Sequence, residues 1–566
     1  MRPALRPWLT PLVGGLLGAV LFLATLGAAI VRPDNLGWVM RHDTQTYLLA
    51  WHHFRREPWQ WPPGKVLGVG HPVGTSIGNS DAIPLVALPL KPFQSLLPDP
   101  AQYLGAWLLA CFVLQGVFGA LLVRTVSADP VLQVLGAGLF VQTPALLHRH
   151  GHVALCAHWL LLAAIWIAVA HPVRRLAWRI GAWTLVSTAV AATQPYLAVM
   201  VLALAAADLA SDALADWRAG RAGAAAMAGL LPPLAGTAIA MWLGGLFLVS
   251  SSADLELVGL GNYSMNLLSP LIAMGYSSLL PAIPVATPGQ YEGLVYFGAG
   301  WLALAAFALV QGLRGRGAVP ALRLGWIAVA VLLVYAVSPV VTAGAAVLVD
   351  LTPWTPSLLS VFRSSGRFAW LAMYVAFLTA LLVVARALPR RSARFVVAAA
   401  LVLQAWDLHG MYWNVHLRAS DPAWTAWDDP LKSAAWDVAL PHYRHLVTVP
   451  PDMCVGPDTP SGGPHLPFSL RAGTRGLTMN SGFAGRYDKA AVLGYCAAID
   501  RQIRAGDVSD DAFYVLTPAM RDVLTRATRT PLVCAVLDGF PVCVSAASYA
   551  RWRTDGERAG FVPAAP

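Results

Sequence analysis

About eleven stretches of this chain are apolar over the length, or nearly the length, that a helix needs to cross a lipid bilayer. A crossing takes about 20 such residues, and fewer where the helix tilts or the bilayer thins. Runs over 11–31, 102–123, 131–147, 153–170, 178–192, 196–209, 224–249, 294–311, 324–341, 368–385 and 395–409 meet or approach that length. Only 12% of the residues are charged, against roughly 25% in soluble domains, so lipid is the main solvent. The net charge of +10, from 39 basic and 29 acidic residues, would suit nucleic acid. The arginines, however, cluster in short segments between apolar runs, as cytoplasmic loops carry them. No cleavable leader is read at the start, because 11–31 is long enough to be a retained first helix.

The same bias orients the chain. Two passes are expected around Gln194-Pro195 rather than one kinked helix. The basic groups Arg174, Arg175 and Arg179 before them, and Arg218 and Arg221 after them, then share one side. With the N-terminus inside, Arg124, Arg314, Arg316, Arg323, Arg386, Arg390, Arg391 and Arg394 all become cytoplasmic. The loops 32–101 and 250–293, and everything after 409, then lie outside. The expected fold class is therefore a polytopic α-helical membrane protein carrying a C-terminal extracytoplasmic α/β domain. Residues 1–410 form the transmembrane domain with its large external loop, and 411–566 form the second domain. Strand-like runs at 445–449 and 513–516 alternate there with helical ones at 489–503 and 518–527.

Four cysteines fall in that terminal domain. The run from Pro531 to Cys543 predicts a β-hairpin turning at Asp538-Gly539. Counting outward from the turn places Cys534 opposite Cys543 in a non-hydrogen-bonded pair, where side chains approach most closely. Cys454 and Cys496 remain as a second bridge. Disulfides suit an oxidising compartment, which agrees with an external domain, although four reduced thiols would fit the spacing too.

The first external loop is rich in polar and aromatic residues, and long loops of that kind are usually functional or disordered. Its character is that of an ordered segment lying at the membrane interface. Several motifs recur at the outer ends of the runs: His42-Asp43-Thr44-Gln45-Thr46-Tyr47, Pro72-Val73-Gly74-Thr75-Ser76 with Asp81-Ala82-Ile83-Pro84, and Leu147-His148-Arg149-His150-Gly151-His152 with Ala157-His158-Trp159. Others are Asn262-Tyr263-Ser264-Met265-Asn266-Leu267-Leu268-Ser269-Pro270, Gly289-Gln290-Tyr291-Glu292-Gly293 and Phe362-Arg363-Ser364-Ser365-Gly366-Arg367-Phe368. In these motifs, and in the order of loop, helices and terminal domain, the chain resembles a bacterial family of GT-C membrane glycosyltransferases.

That resemblance implies an inverting transfer of a sugar from a polyprenyl-phosphate donor, at the outer face of the bacterial inner membrane. The acceptor would be an envelope glycan, lipid or protein, with membrane lipids as the other partner and no nucleic acid. A departing phosphate needs charge stabilisation rather than a proton, whereas the attacking hydroxyl must lose one. A single carboxylate acting as general base suffices, unlike the carboxyl pair of glycoside hydrolysis. Asp43 is the expected base, with Asp81 in reserve; either would also suit the N-cap of a helix. Arg363 and Arg367, four apart at the external start of a run, would hold the donor phosphate if they share a helical face. Snorkelling arginines at an interface are the plainer reading.

His42, His148, His152, His158, Tyr263, Asn266 and Glu292 are expected to line the pocket. No cofactor is read from the sequence. A divalent ion at the histidine-rich segment is the alternative, disfavoured because no carboxylate stands beside it. Phosphate-binding Gly-Lys-Ser, Gly-x-Ser-x-Gly and His-Glu-x-x-His motifs are missing. A lipid-glycan flippase would need charges deep in the helices, which are scarce apart from Asp208. The third alternative is a non-catalytic envelope scaffold whose external domain binds glycan, which would be indifferent to Asp43→Asn.

Overall fold

The computed structural model describes residues 8–41, 43–170, 175–249, 258–455, 465–482 and 486–564. The chain forms two compact units: residues 1–32, 103–240 and 251–421 make the first, and 33–102, 241–250 and 422–566 the second. Chain order alone groups the loop 32–101 with the helices; compact packing groups 33–102 with the terminal domain.

The first unit is helical. Among the described residues, five helices are long and apolar enough to cross a membrane: Leu104–Arg124, Pro130–Gly151, Pro195–Arg218, Ala224–Leu243 and Ser365–Ala387. A sixth results if Arg390–Asp407 and His409–Ser420, bent by 50°, count as one. The expectation of eleven spans is not met. Leu9–Thr25, Val153–Val169, Ala299–Leu313 and Gly325–Val337 are apolar but only 10–17 residues long. Local breaks shorten them. Gly325–Val337 stops before Pro339, and the chain turns into the hairpin Val340–Ala343/Ala346–Asp350. Apolar composition counts residues in a run, whereas crossing needs unbroken helical rise. At Gln194-Pro195 the chain does break into two helices, Leu176–Ala191 and Pro195–Arg218.

Helices in lipid associate by close backbone approach at small residues. Leu9–Thr25 meets Leu104–Arg124 in that way. A Cβ added at Gly14 would stand 2.4 Å from the Gly116 carbonyl oxygen, and one at Gly116 would stand 1.9 Å from that of Gly14.

Arg179 and Arg323, counted above as loop charges, are instead locked in a four-membered network. Arg323 donates to Asp208 Oδ1 at 2.6 Å and to Asp212 Oδ1 at 2.5 Å, and Arg179 pairs with both carboxylates. Trp183 Nε1 donates to Asp208 Oδ2 at 2.9 Å. The network ties Leu176–Ala191, Pro195–Arg218 and the turn before Gly325 together. Asp208→Ala leaves both guanidiniums to share Asp212 alone and removes the acceptor of Trp183 Nε1, so a loss of about 1–3 kcal/mol is expected. Thermal unfolding in nanodiscs reads it, and an unchanged midpoint would contradict the account.

The second unit is built on a five-stranded sheet. Strands β1 (His445–Val449), β2 (Thr478–Met479), β3 (Ala512–Leu516), β4 (Leu532–Leu537) and β5 (Phe540–Ser545) run in the order β2-β1-β3-β5-β4. β1 is parallel to β2 and β3, and β5 is antiparallel to β3 and β4. Side chains alternate across a strand. Phe513 and Val515 therefore enter one core with Trp436, Phe468 and Leu446, and Ala512, Tyr514 and Leu516 enter the other with Ile499, Ile503 and Leu524. In the β4–β5 hairpin Cys534 faces Cys543 and Leu537 faces Phe540. Asp538 and Gly539 take φ of +48° and +84°, the left-handed pair that a two-residue turn requires. The Asp538 carboxylate accepts from Ser433 N–H at 2.9 Å and from Trp436 Nε1 at 2.8 Å. Cys534–Cys543 and Cys454–Cys496 are both bonded.

The segment 33–102 is ordered by this domain. Its helix Thr44–Arg56 lies on the helix His465–Arg475, with His53 Nε2 at 3.1 Å from the Ser469 carbonyl oxygen. Glu57 accepts from the N–H groups of Leu67 and Gly68 at 2.9 and 2.7 Å. Beyond it, Met479 donates to Gly68 O at 2.7 Å, and His71 donates to Met479 O at 2.9 Å, extending the sheet past β2.

His52 and His53 are fully buried in this packing. Burial, reinforced by Arg55 and Arg56, lowers His52 from 6.5 to about 3, and burial lowers His53 to about 4. The unfolded chain takes up these protons near pH 6.5 while the fold refuses them. Stability is therefore complete above pH 6.5 and falls on acidification, by about 1.4 kcal/mol per pH unit for each histidine. The unfolding midpoint should drop between pH 7 and pH 5, and His53→Gln should flatten that slope. A slope unchanged in the variant would refute the assignment.

Candidate functional site

In the first unit, three segments far apart in sequence converge at Glu292. The 3₁₀ turn Pro288–Gly293 carries it, at 7% exposure. Arg149 enters from the turn after Pro144–His148, and Arg367 from the turn Ser365–Phe368. Arg149 Nη1 donates to Glu292 Oε2 at 2.9 Å, and Arg367 Nη2 donates to the same oxygen at 2.5 Å. Arg149 also donates to the carbonyl oxygens of Tyr291, at 2.8 Å, and of Glu292. His152 Nε2 stands 3.9 Å from Glu292 Oε1.

Glycine makes this convergence possible. A Cβ at Gly366 would stand 3.0 Å from the backbone of Ser264, and one at Gly293 would stand 2.6 Å from Gly366 Cα. Gly366 N–H donates to Tyr263 O at 3.0 Å. The Arg363-Ser-Ser-Gly366-Arg367 motif is thus a device for bringing three loops together, with an arginine on either side of the contact.

Those two arginines do not share a helical face. The chain passes through separate 3₁₀ turns, Ser357–Phe362 and Ser365–Phe368, so a spacing of four carries no α-helical meaning here. Arg363 lies over the Tyr263 ring at 5.8 Å, and Arg367 over Tyr196 at 4.6 Å. Arg149, which the sequence reading quoted without a role, takes the place beside Arg367.

Electrostatics follow from the count. Two guanidiniums share one carboxylate, so the buried cluster keeps one net positive charge. Burial by itself would raise the Glu292 pKa; Arg367 and Arg149 outweigh it and bring the group to about 2. Glu292 is therefore a permanent anion and a poor proton acceptor, which suits orientation of the arginines. Arg149 Nε is buried with no hydrogen-bond partner among the described residues. An unsatisfied N–H on a cation in a buried site costs free energy and fits an anionic oxygen.

The remaining pocket candidates divide. His148 Nε2 donates to Tyr291 O at 3.2 Å, which leaves Nδ1 to accept from Tyr276 OH at 2.7 Å. His158 pairs with Tyr374 OH at 2.7 Å and lies against Trp370 at 4.5 Å. The histidines thus have separate partners, and among the described residues no group of three or more His, Cys, Asp or Glu could hold a metal ion. Asn266 was expected to line a sugar site. It instead donates to Gly344 O and Gln290 Oε1 at 2.8 and 3.1 Å, and accepts from Gly344 N and Leu268 N at 2.9 and 3.1 Å. That exhausts its hydrogen bonding and makes it a clamp between loops.

Asp43 and Asp81 belong to the second unit. Asp43 is exposed at the N-cap of Thr44–Arg56, yet its side chain makes no capping bond. Asp81 is half-buried with φ +53°, and Ile83 rather than Asp81 caps the helix Pro84–Leu90. His42 lies outside the described residues.

Among solved structures, the chain is distantly similar to the oligosaccharyltransferase of Archaeoglobus fulgidus crystallised with zinc and sulfate. The identity is 13% and the TM-score 0.44, over 95% of this chain and 73% of that one. The same archaeon's oligosaccharyltransferase AglB, in complex with an inhibitory peptide and a dolichol-phosphate, matches at 11% identity and a TM-score of 0.42, over 96% and 75% of the two chains. No curated protein matches. The family model of DUF6311, a domain of unknown function, matches residues 15–409, and that of the DUF6311 C-terminal domain matches 435–545. Together the two models cover most of the sequence, and the chain belongs to the DUF6311 family.

Proposed function

We propose that this protein is a GT-C-type glycosyltransferase that moves a sugar from a polyprenyl-phosphate donor to an envelope glycan, lipid or protein. In this reading it sits in the bacterial inner membrane, with the loop 32–101 and the terminal domain on the outer face. The observation that carries it is the buried Arg149–Glu292–Arg367 cluster, with its net positive charge and an unsatisfied Arg149 Nε. Guanidinium forks bind phosphate oxygens bidentately, and Glu292 holds both forks in one orientation. Arg363, over Tyr263, is assigned to the same phosphate.

In the reaction, an acceptor hydroxyl oxygen bonds to the anomeric carbon as the bond from that carbon to the phosphate oxygen breaks. The electron pair leaves with the polyprenyl phosphate, whose charge the arginines stabilise. The hydroxyl proton goes to Asp43, whose carboxylate is exposed and not engaged in capping its helix. Attack opposite the leaving group inverts the anomeric centre. Asp81 is the reserve base. His148, His152, His158 and Tyr263 are assigned to the surrounding pocket.

Mass spectrometry of envelope glycans from cells with and without the protein tests the proposal. A glycan shortened by one or more sugars is expected in its absence. An unchanged glycan profile, together with lipid movement across proteoliposomes, would replace transfer by flipping.

A further inference from the structure

The second unit contains a cleft of about 210 Å³ that the proposed transfer does not use. It opens beside the starts of β1, β2 and β3, and the helix Lys489–Arg504 forms its opposite wall. Its thirteen lining residues include no Asp, Glu, Lys or Arg, so neither a phosphate nor a metal ion finds a counter-charge there. Most are nevertheless polar, and their hydrogen bonds reveal what is left over for a ligand.

Asn480 fixes the pattern. Its Oδ1 accepts from Thr448 N at 2.8 Å and from Thr448 Oγ1 at 3.1 Å, which assigns Nδ2 as the donor to Thr448 O at 2.9 Å and to Tyr495 OH at 3.0 Å. The Tyr495 hydroxyl is therefore an acceptor toward the protein and keeps its own proton to give. Tyr514 accepts from Ser509 N–H at 3.0 Å and is hydrogen-bonded to the Gln502 side chain, so its hydroxyl is engaged within the wall. Gln502 Nε2 donates to Asp507 O at 3.2 Å, which leaves the amide oxygen as an acceptor. His71 and His445 stack at 5.0 Å with their planes 19° apart, and His445 Nδ1 lies 2.6 Å from Thr478 Oγ1. Both imidazoles are therefore held rigidly at the rim.

We infer that this cleft binds one neutral sugar ring. The Tyr495 phenol donor and a remaining lone pair of the Gln502 amide oxygen match a hydroxyl group, which both gives and takes a hydrogen bond. Pro72, Val447 and Ile499 supply apolar surface for the C–H face of such a ring. The volume lies below the roughly 300–1,000 Å³ of pockets for drug-sized ligands and suits a single ring of a larger glycan. Burial, together with the neighbouring His445, lowers the His71 pKa, which keeps the His71 imidazole uncharged at neutral pH. The inference stands apart from the proposed transfer, since binding here requires no turnover.

Saturation-transfer NMR on the full-length protein in nanodiscs tests it, with methyl α-glucoside, α-galactoside, α-mannoside and N-acetylglucosaminide as probes and methyl glucuronide as the charged control. At least one neutral glycoside should receive saturation, and the glucuronide should receive far less. Tyr495→Phe removes one donor while keeping the ring, and Gln502→Ala removes the acceptor. Each should weaken binding about fivefold, the effect of one neutral hydrogen bond, with the unfolding midpoint confirming that the variant folds. No signal from any neutral glycoside, equal signal from the glucuronide, or binding untouched by both variants would each overturn the inference. Binding without glycosyl transfer would remove the enzyme reading and leave this one standing.

Discussion

Replacing Asp43 with asparagine is expected to lower sugar transfer by two to four orders of magnitude, the usual contribution of a positioned general base, while leaving the fold unchanged. Two features make this a clean test. Asparagine is as good an N-cap as aspartate, and the Asp43 side chain makes no capping bond to the helix Thr44–Arg56 in any case. Because asparagine is nearly isosteric with aspartate, the unfolding midpoint of Asp43→Asn should stay close to that of the wild type. Turnover is measured by complementing a deletion strain and weighing its envelope glycans. A variant that restores the full glycan would end the assignment of Asp43. If Asp81 carried the proton instead, Asp81→Asn would show the loss and Asp43→Asn would not.

Glu292→Ala is expected to destabilise the protein by about 3–5 kcal/mol, because it leaves two buried guanidiniums without their shared anion. The linkage argument gives a similar size. The carboxyl falls from 4.5 to about 2 on folding, and at about 1.4 kcal/mol per pKa unit this amounts to about 3 kcal/mol. A depressed carboxyl contributes fully above its unfolded pKa, so the stabilisation is present above pH 4.5. It is lost as the pH falls from 4.5 toward 2. Thermal unfolding in nanodiscs at pH 7 measures the first effect, and an acid titration of the wild type measures the second. Glu292→Met combined with Arg367→Met should recover part of the loss, since removing both partners is cheaper than orphaning one. A single variant as stable as the wild type would mean that solvent reaches the cluster and screens it.

The two experiments probe different kinds of information. Asp43 stands out in the sequence because a carboxylate beside Thr44, near the outer end of an apolar run, is visible in a short window. Arg149 and Glu292 are 143 residues apart, and no local pattern joins them. In the sequence Arg149 is legible only as part of a motif, without a role. The same holds for Arg179 and Arg323, which a count of loop charges treats as solvated and which the fold places on Asp208 and Asp212. Arg363 and Arg367 show the converse error. A spacing of four was given helical meaning in a stretch where the backbone makes 3₁₀ turns around Gly366.

By itself the sequence determined what short-range periodicity encodes: the apolar helices, the buried alternation of Ala512–Leu516, and the Asp538-Gly539 turn that sets Cys534 against Cys543. These depend on dihedral preference and on which face of an element meets lipid or core, and a window of ten to twenty residues contains both. Only the tertiary structure decided which helices reach spanning length, that 33–102 joins the terminal domain, and which arginines share Glu292. Those outcomes require distant segments to close on one another. Closing a loop costs entropy that rises only slowly with its length, so many pairings are comparably cheap, and packing together with charge compensation chooses among them.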